Sequence, residues 1–237
     1  MDIKAYQAHI EQPWGKIYYQ ILFELLKDVR GKKVLDFGSG FGYVAQFLVR
    51  HNQVLAIEPN AEMIEERVLD LDSPYEQKQG SLELLEALPP ASFDVIVCHN
   101  VLEYVDEPAL YIRAFHRMLK EDGQLSLVKH NEVGRIMQTA VFECDIPKTM
   151  RLLAGERYQS HSMGQARFYE IDEVISADDF LLEHYQGLRV FYGLQPNSVK
   201  MDPNWLEDMT QLELAVANQS PYRDMAAFQH LWLRKKK

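Results

Sequence analysis

The residues with the most chemical potential lie between Val34 and Gly42, where the chain reads Val34-Leu35-Asp36-Phe37-Gly38-Ser39-Gly40-Phe41-Gly42. An apolar run carries an acid, and alternate glycines lead into a helical pattern with Val44, Phe47 and Leu48. Glycines let a backbone pass close to a ligand without Cβ clashes, and free amides at a helix start suit a carboxylate or phosphate. A second apolar run, Val54-Leu55-Ala56-Ile57, ends in Glu58, twenty residues after Gly38. An acid there accepts hydrogen bonds from both hydroxyls of a ribose. A glycine turn alone also occurs as plain structure; strand, glycines, helix, strand and acid in this order predict a nucleoside cofactor.

His99 follows a later apolar run, Phe93 to Cys98, at the end of the strand where open α/β sheets place their ligands. The position suits a histidine that orients an acceptor, touches the cofactor or acts as a base; a ring packed under the loop is the other reading. Asn100 shares this loop with Glu103, whose place equally fits a cap or a salt bridge. Asn131 and Arg135 follow the next strand, where Asn131 also fits a loop cap. Arg189, with Tyr192 nearby, lies in a late extended segment; a guanidinium there suits a phosphate or carboxylate, or an exposed sheet face. The eight histidines show no metal-ligand spacing, so no metal is expected.

These residues need a scaffold, and the apolar pattern supplies one. Ile17, Ile21, Leu22, Leu25, Leu26 and Val29 predict a helix ending near Gly31. Strands are expected at 34–37, 54–57, near 77–81, at 93–98 and at 124–128, the last after an Asp122-Gly123 turn. Helices are expected from Val44, over Ala61 to Leu71, and from Pro108 through Leu119. Continuous apolar strands alternating with helices predict a parallel sheet covered on both faces. Residues 131–170 lack strand signals and are expected as helices and loops inserted over the sheet. Leu181 to Phe191 and Met225 to Leu233 look extended and flank a helix over Asn204 to Asn218, which suits an antiparallel pair at the sheet edge. One domain over 1–237 is expected, with 1–30 as a helical N-terminal cap carrying Trp14-Gly15-Lys16.

Composition bounds the partners. Among 237 residues, 35 are acidic and 25 basic, a net charge of −10, which argues against a general nucleic-acid coat protein while leaving room for a local basic patch. Residues 129–170 hold six basic against five acidic side chains, Arg157 among them, and so form no phosphate-binding stripe. Tyr158, Phe168 and Tyr169 suit base stacking or core packing. The basic end, Arg234-Lys235-Lys236-Lys237, reads as a solvated terminus. Two cysteines build no disulfide framework and read as reduced thiols. With no signal-peptide pattern at the N-terminus and no membrane-length apolar run, a soluble cytoplasmic protein is expected. Oligomeric state is left open.

The ordered pieces resemble the class I S-adenosylmethionine (SAM)-dependent methyltransferases. The resemblance covers residues 33–128: the Asp36–Gly42 turn, Glu58, Ser81-Leu82, the Asp94–Glu103 strand and loop, and Leu119-Lys120-Glu121-Asp122-Gly123-Gln124-Leu125 before the fifth strand. It implies an α/β, Rossmann-like fold with a mostly parallel seven-stranded sheet in order 3-2-1-4-5-7-6 and an antiparallel last strand. It also implies SAM as cofactor and S-adenosylhomocysteine as product, with Asp36, Gly38, Ser39, Gly40, Gly42, Glu58, Pro59, Ser81, Leu82 and His99 around it. A narrower resemblance rests on His99–Val105, Leu125–Val128 with Asn131 and Gly134, Gly187–Phe191, Leu212-Glu213-Leu214 and Ser220-Pro221-Tyr222. It is similar to the bacterial tRNA carboxymethoxyuridine methyltransferases, the CmoM family, and implies methylation of a carboxylate on a modified wobble uridine of tRNA. That family meets the SAM carboxylate with an arginine of the first helix; this chain has Tyr18 there, and Lys16 is the candidate substitute. The family's lysine run after a proline is reduced here to Pro147-Lys148-Thr149-Met150-Arg151. A small-molecule O- or N-methyltransferase, closed over by the insertion, and a SAM-binding protein without catalysis are the alternatives.

Overall fold

The computed structural model describes residues 3–156, 158–160, 164–176 and 178–236, with only the backbone at 158–160, 164 and 165. Arg157, the Tyr158 side chain and Lys237 therefore lie outside the described residues. The strands are β1 Lys33–Phe37, β2 Gln53–Glu58, β3 Glu76–Gln79, β4 Phe93–His99, β5 Leu119–His130, β6 Tyr158–Ser160, β7 Gly164–Ala166, β8 Phe180–Leu188 and β9 Phe228–Lys235. Seven of them form one sheet in the order β3-β2-β1-β4-β5-β9-β8. With the β6–β7 hairpin set apart, this is the expected 3-2-1-4-5-7-6. The β1–β2, β1–β4, β2–β3 and β4–β5 pairs are parallel.

The chain divides into two compact units. The first comprises Leu25–Val128, Tyr169–His184 and Leu231–Lys237. Its core is set by the continuous apolar strands: Val34, Leu35, Ile57, Ile96, Val97 and Cys98 are buried. The helix Pro108–Met118 starts on its proline and buries Ile112, Phe115 and Met118, with the Phe115 ring edge-on to Phe37. Arg117 donates to the carbonyls of Leu85 and Leu88, satisfying the C-terminal end of the helix Leu82–Ala87. Asp94, at the start of β4, accepts from the Lys33 amide and pairs with Lys120; it secures the amino-end edge, away from the strand ends that carry the glycine turn.

Several elements differ from expectation. The helix starting at Ala61 ends at Glu65 rather than Leu71, because the following stretch finds other partners. The Val68 amide donates to the Phe41 carbonyl, Tyr75 Oη to the Val68 carbonyl, and the Gln46 side chain bonds both Asp70 and Ser73. The helix expected to reach Gly31 stops at Leu26. The Asp122-Gly123 turn falls inside a longer β5. There the register jumps from Phe93↔Leu119 to Val95↔Gln124, and Asp122 takes a left-handed φ of 59°. Within the basic C-terminus, Arg234 and Lys235 are not a solvated tail: Arg234 pairs with Glu183, and Lys235 donates to the Leu119 carbonyl as part of β9.

The second unit comprises Met1–Glu24, Lys129–Phe168 and Tyr185–His230. It holds the helices Ile3–Glu11 and Pro13–Leu26 (the latter up to Glu24), Glu132–Val141, Ile146–Leu153, Trp205–Val216 and Tyr222–Met225. The insertion contains the β6–β7 hairpin, a correction to the expectation of helices and loops alone; Gln159 faces Gln165 in its antiparallel ladder, a polar pairing with no apolar alternation to reveal it. Asn131 donates both amide hydrogens to backbone, to the carbonyls of Asp224 (2.9 Å) and Ala226 (2.7 Å), and its own amide donates to Ala227. Gly134 lies so close to Ala226 that any Cβ would collide with its carbonyl.

Candidate functional sites

Register alone gathers the cofactor candidates at one edge. Phe37 pairs with Ile57 and with Cys98, and Glu58 pairs with Gln79, so the segments after β1, β2, β3 and β4 leave the sheet side by side, at the carboxyl end. The turn after β1 has left-handed glycines at 38, 40 and 42, with φ of 71°, 54° and 75°. Each is glycine for its own reason. A Cβ at 38 would strike Val101 and one at 42 would strike the Tyr75 hydroxyl, whereas a Cβ at 40 would meet only Met63 Sδ at 3.9 Å. The open space belongs to Gly40.

Four amides of this turn bond within the protein. Gly38 and Ser39 both donate to the Ile57 carbonyl (2.8 and 3.1 Å), Gly40 to Glu58 Oε2 (2.8 Å), and Gly42 to the Ser39 carbonyl (2.8 Å). The turn folds back on the end of β2, and the helix it enters, Tyr43–Leu48, has six residues. Ser39 Oγ accepts from Gln77.

Acceptors are what the edge offers. Glu58 is 6% exposed, and its oxygens accept from Gly40 and from the Asn60 amide (2.9 Å). Burial raises its pKa against those two bonds. Each carboxylate oxygen keeps a second lone pair, so two ribose hydroxyls fit. Asp36 is 3% exposed. Burial raises its carboxyl to about 7, opposed by a bond from the Ala45 amide and reinforced by the Glu58 charge. Its Oδ2 is buried with no hydrogen-bond partner in the protein. A buried orphan of this kind fits a donor from a ligand or a water. Pro59 is exposed, and its carbonyl accepts from Gln79. Ser81 gives its amide to Glu83 and holds its Oγ 3.3 Å from Tyr111 Oη, and Leu82, half-buried, opens the next helix.

At the end of β4, His99 Nε2 sits 2.9 Å from Oγ of Ser126, a fully buried residue of β5. Asn100 adopts a left-handed φ of 56° and donates its amide to the Val128 carbonyl. Glu103 is buried, and the Cys98 thiol is pushed up by burial, by Glu103 and by Asp36. Cys98 is therefore a packed thiol and not a nucleophile.

The second unit gathers the acceptor candidates. Arg189, directly after β8, takes a left-handed φ of 66°, a strained choice for a residue with a Cβ. Its guanidinium carbon lies 4.0 Å from the Tyr192 ring centre and 5.0 Å from that of Phe228. Arg135, half-buried, donates to Gln138. His130 is buried and pushed down to about 3, by burial first and then by Arg135, Arg189 and Lys129. Asn131 belongs to the staple described above. Lys16 lies on the exposed side of its helix; Tyr18, two residues on, is buried edge-on to Tyr19 and Phe228. Residues two apart on a helix point to nearly opposite sides, so Lys16 does not stand in for a side chain at position 18. Tyr169 is 3% exposed and packs in the core.

Two residues here escape sequence reasoning. Lys200 is 3% exposed; its ammonium lies 4.9 Å from both the Phe142 and Tyr192 ring centres and donates to Asn197 Oδ1 (3.0 Å). Glu213, 1% exposed, accepts from the amides of Val190, Phe191 and Tyr192. Burial raises it to about 7 against two of those bonds and against Arg189. Glu213 lies in the Leu212-Glu213-Leu214 stretch that carries part of the narrower resemblance, which assigns it no role; Lys200 has no sequence signal. Among the described residues no cluster of metal ligands exists, and no helix is long and apolar enough to cross a membrane.

A sheet in this order, with a glycine turn after β1 and an acid closing β2, defines the class I, SAM-dependent methyltransferase fold. Residues 35–127 match the family model described as a methyltransferase domain. A ubiquinone biosynthesis O-methyltransferase from Azotobacter vinelandii is 38% identical over 99 residues, which are 40% of this chain and 43% of that protein. The chain thus spans less than half of that relative's length. Among solved structures, a SAM-dependent methyltransferase from Thermotoga maritima superposes with a TM-score of 0.63 at 17% identity, covering 99% of this chain and 96% of that one. One from Mesorhizobium loti gives 0.57 at 18% identity, covering 94% and 98%. At such identities the likeness is one of fold. The residues fit SAM: an orphaned acid for its ammonium, an acid with lone pairs for its ribose, and an open Gly40.

Proposed function

We propose that this chain is a SAM-dependent methyltransferase whose acceptor is a carboxylate oxygen, and that the carboxylate is the one on a modified wobble uridine of tRNA. The observation that carries the methyltransferase reading is the pair of buried acids, Asp36 with its orphaned Oδ2 and Glu58 between two amides, flanking the open Gly40. SAM supplies an electrophilic methyl on a sulfonium: the acceptor oxygen forms the new O–C bond as the C–S bond breaks, and the electron pair stays on sulfur. No proton moves, because a carboxylate is ionised at neutral pH. His99 is then asked to orient rather than to deprotonate, which accords with a ring anchored by the buried Ser126 hydroxyl. Positioning supplies the rest.

The tRNA acceptor rests on the sequence resemblance from His99 to Tyr222. A small-molecule O-acceptor is the second reading, favoured by the O-methyltransferase relatives. The test is methyl transfer from labelled SAM to bulk tRNA of a strain lacking this gene, with nucleosides read by mass spectrometry. A uridine derivative heavier by one methyl, and reverting under mild alkali as an ester does, is expected. No transfer, by protein that binds SAM in parallel, would refute the tRNA acceptor and leave the small-molecule reading.

A further inference from the structure

A lysine almost wholly removed from water needs a reason. Lys200 has one neutral hydrogen-bond acceptor, Asn197, and two aromatic rings; among the described residues it makes no ion pair. Its nearest charged influence is repulsive, since Arg189 shares the Tyr192 ring with it and, after burial, is what pushes Lys200 down to about 8. Two cations flanking one ring in a dry setting cost free energy, and the strained φ of Arg189 adds to that cost. The local acid does not relieve Lys200: Glu213 points its oxygens at three backbone amides and so shapes the segment from Val190 to Tyr192. Arg135, Gln138 and Phe142 lie at positions i, i+3 and i+7, one face of a helix, and Phe142 supplies the second ring on Lys200. A Cβ at the buried Gly193 would meet only Gln138 Cδ, at an ordinary contact distance of 3.9 Å, so the packing beside Tyr192 leaves room for at least a methyl group.

We infer that Lys200 and Arg189, flanking Tyr192, form an oxyanion subsite that holds the acceptor by its carboxylate, with Lys200 as the residue that selects anionic over neutral acceptors. The inference rests on the carboxylate reading above and extends it to a residue and a charge requirement. An anion entering this subsite neutralises a repulsion already built in, so preorganised cations strengthen the contact.

The test uses the full chain saturated with S-adenosylhomocysteine and three probes: uridine-5-oxyacetic acid, its methyl ester and uridine 5′-monophosphate. Calorimetry should show the acid binding and the neutral ester binding at least about tenfold more weakly. Lys200→Met should weaken the acid by a similar factor, leave the ester and S-adenosylhomocysteine unchanged, and raise Tm, because a buried repulsion is removed. A lysine with a merely structural role would lower Tm instead. Arg189→Gln gives an independent second variant should Lys200→Met misfold. Equal binding of the monophosphate and the acid, both lost in Lys200→Met, would make this a phosphate grip and overturn the acceptor assignment. Acid binding that survives both substitutions would overturn the subsite. Benzoate serves as a further probe: Lys200-dependent benzoate binding in a protein that leaves tRNA unmethylated would refute the tRNA acceptor while the subsite stands.

Discussion

An ammonium of the cofactor seated on Asp36, the placement the orphaned Oδ2 suggests, would tie binding to a proton. Burial holds the Asp36 carboxyl at about 7, so in the free protein roughly 90% of molecules carry a proton there at pH 6 and roughly 10% at pH 8. An ammonium donated to Oδ2 requires the carboxylate. Binding near pH 6.5 should therefore release about three-quarters of a proton, and affinity should rise about tenfold from pH 6 to pH 8. Titrating S-adenosylhomocysteine by calorimetry in phosphate and in imidazole, whose ionisation enthalpies differ, reads the released proton directly. Glu58 is also raised by burial, so Asp36→Asn provides the control that isolates Asp36: the buffer dependence should collapse with it. Proton release that persists unchanged in Asp36→Asn, or none in the native protein, would refute the placement of the ammonium on this acid.

Three other outcomes follow from the same geometry. His99→Ala should lower kcat less than about tenfold, against the 10²–10⁴ lost with a general base, and the pH–rate profile should lack a histidine limb; a larger loss in single-turnover assays counts against a carboxylate acceptor. The glycines should separate in thermal melts: Gly40→Ala should cost about 1–2 kcal/mol for its left-handed φ alone, while Gly42→Ala should cost more because its Cβ meets the Tyr75 hydroxyl, and only Gly40→Ala should keep most of its stability while losing cofactor affinity. Asp36 and Glu213 are both raised to about 7, so their contribution is full below the unfolded carboxylate range and is lost as pH rises through 7. The cofactor-free protein should melt lower at pH 7.5 than at pH 5, and the double variant Asp36→Asn, Glu213→Gln should flatten that slope.

The sheet was legible because its central strands are buried on both faces and write themselves as apolar runs, as at Val34–Phe37 and Phe93–Cys98. Of the edge pair, β9 showed through by its apolar residues, since Phe228, His230, Leu231, Trp232 and Leu233 are all buried, whereas β8 is exposed or half-buried from Leu181 to Gln186. What did not show was polar. The β6–β7 hairpin pairs glutamines, and the loop after Glu65 is held by two bonds from Gln46 and one from Tyr75 that no periodicity encodes. The site divides along the same line. Asp36, Gly40 and Glu58 were readable from spacing. The bonding of the turn's amides within the protein and the burial of Lys200 depend on which groups the fold brings together, which one sequence does not order.

The staple at Asn131 decides where the insertion is able to move. Three hydrogen bonds and the close approach of Gly134 rivet residues 131–134 to 224–227, so the helix Glu132–Val141 travels with the root of β9. The helix Ile146–Leu153 lies between two left-handed residues, Cys144 at φ 54° and Gly155 at φ 86°, and is tied back by the Asp145 amide to Thr139 and by Lys148 to Glu143. Hydrogen exchange should accordingly find the amides of 132–141 opening together with those at the start of β9.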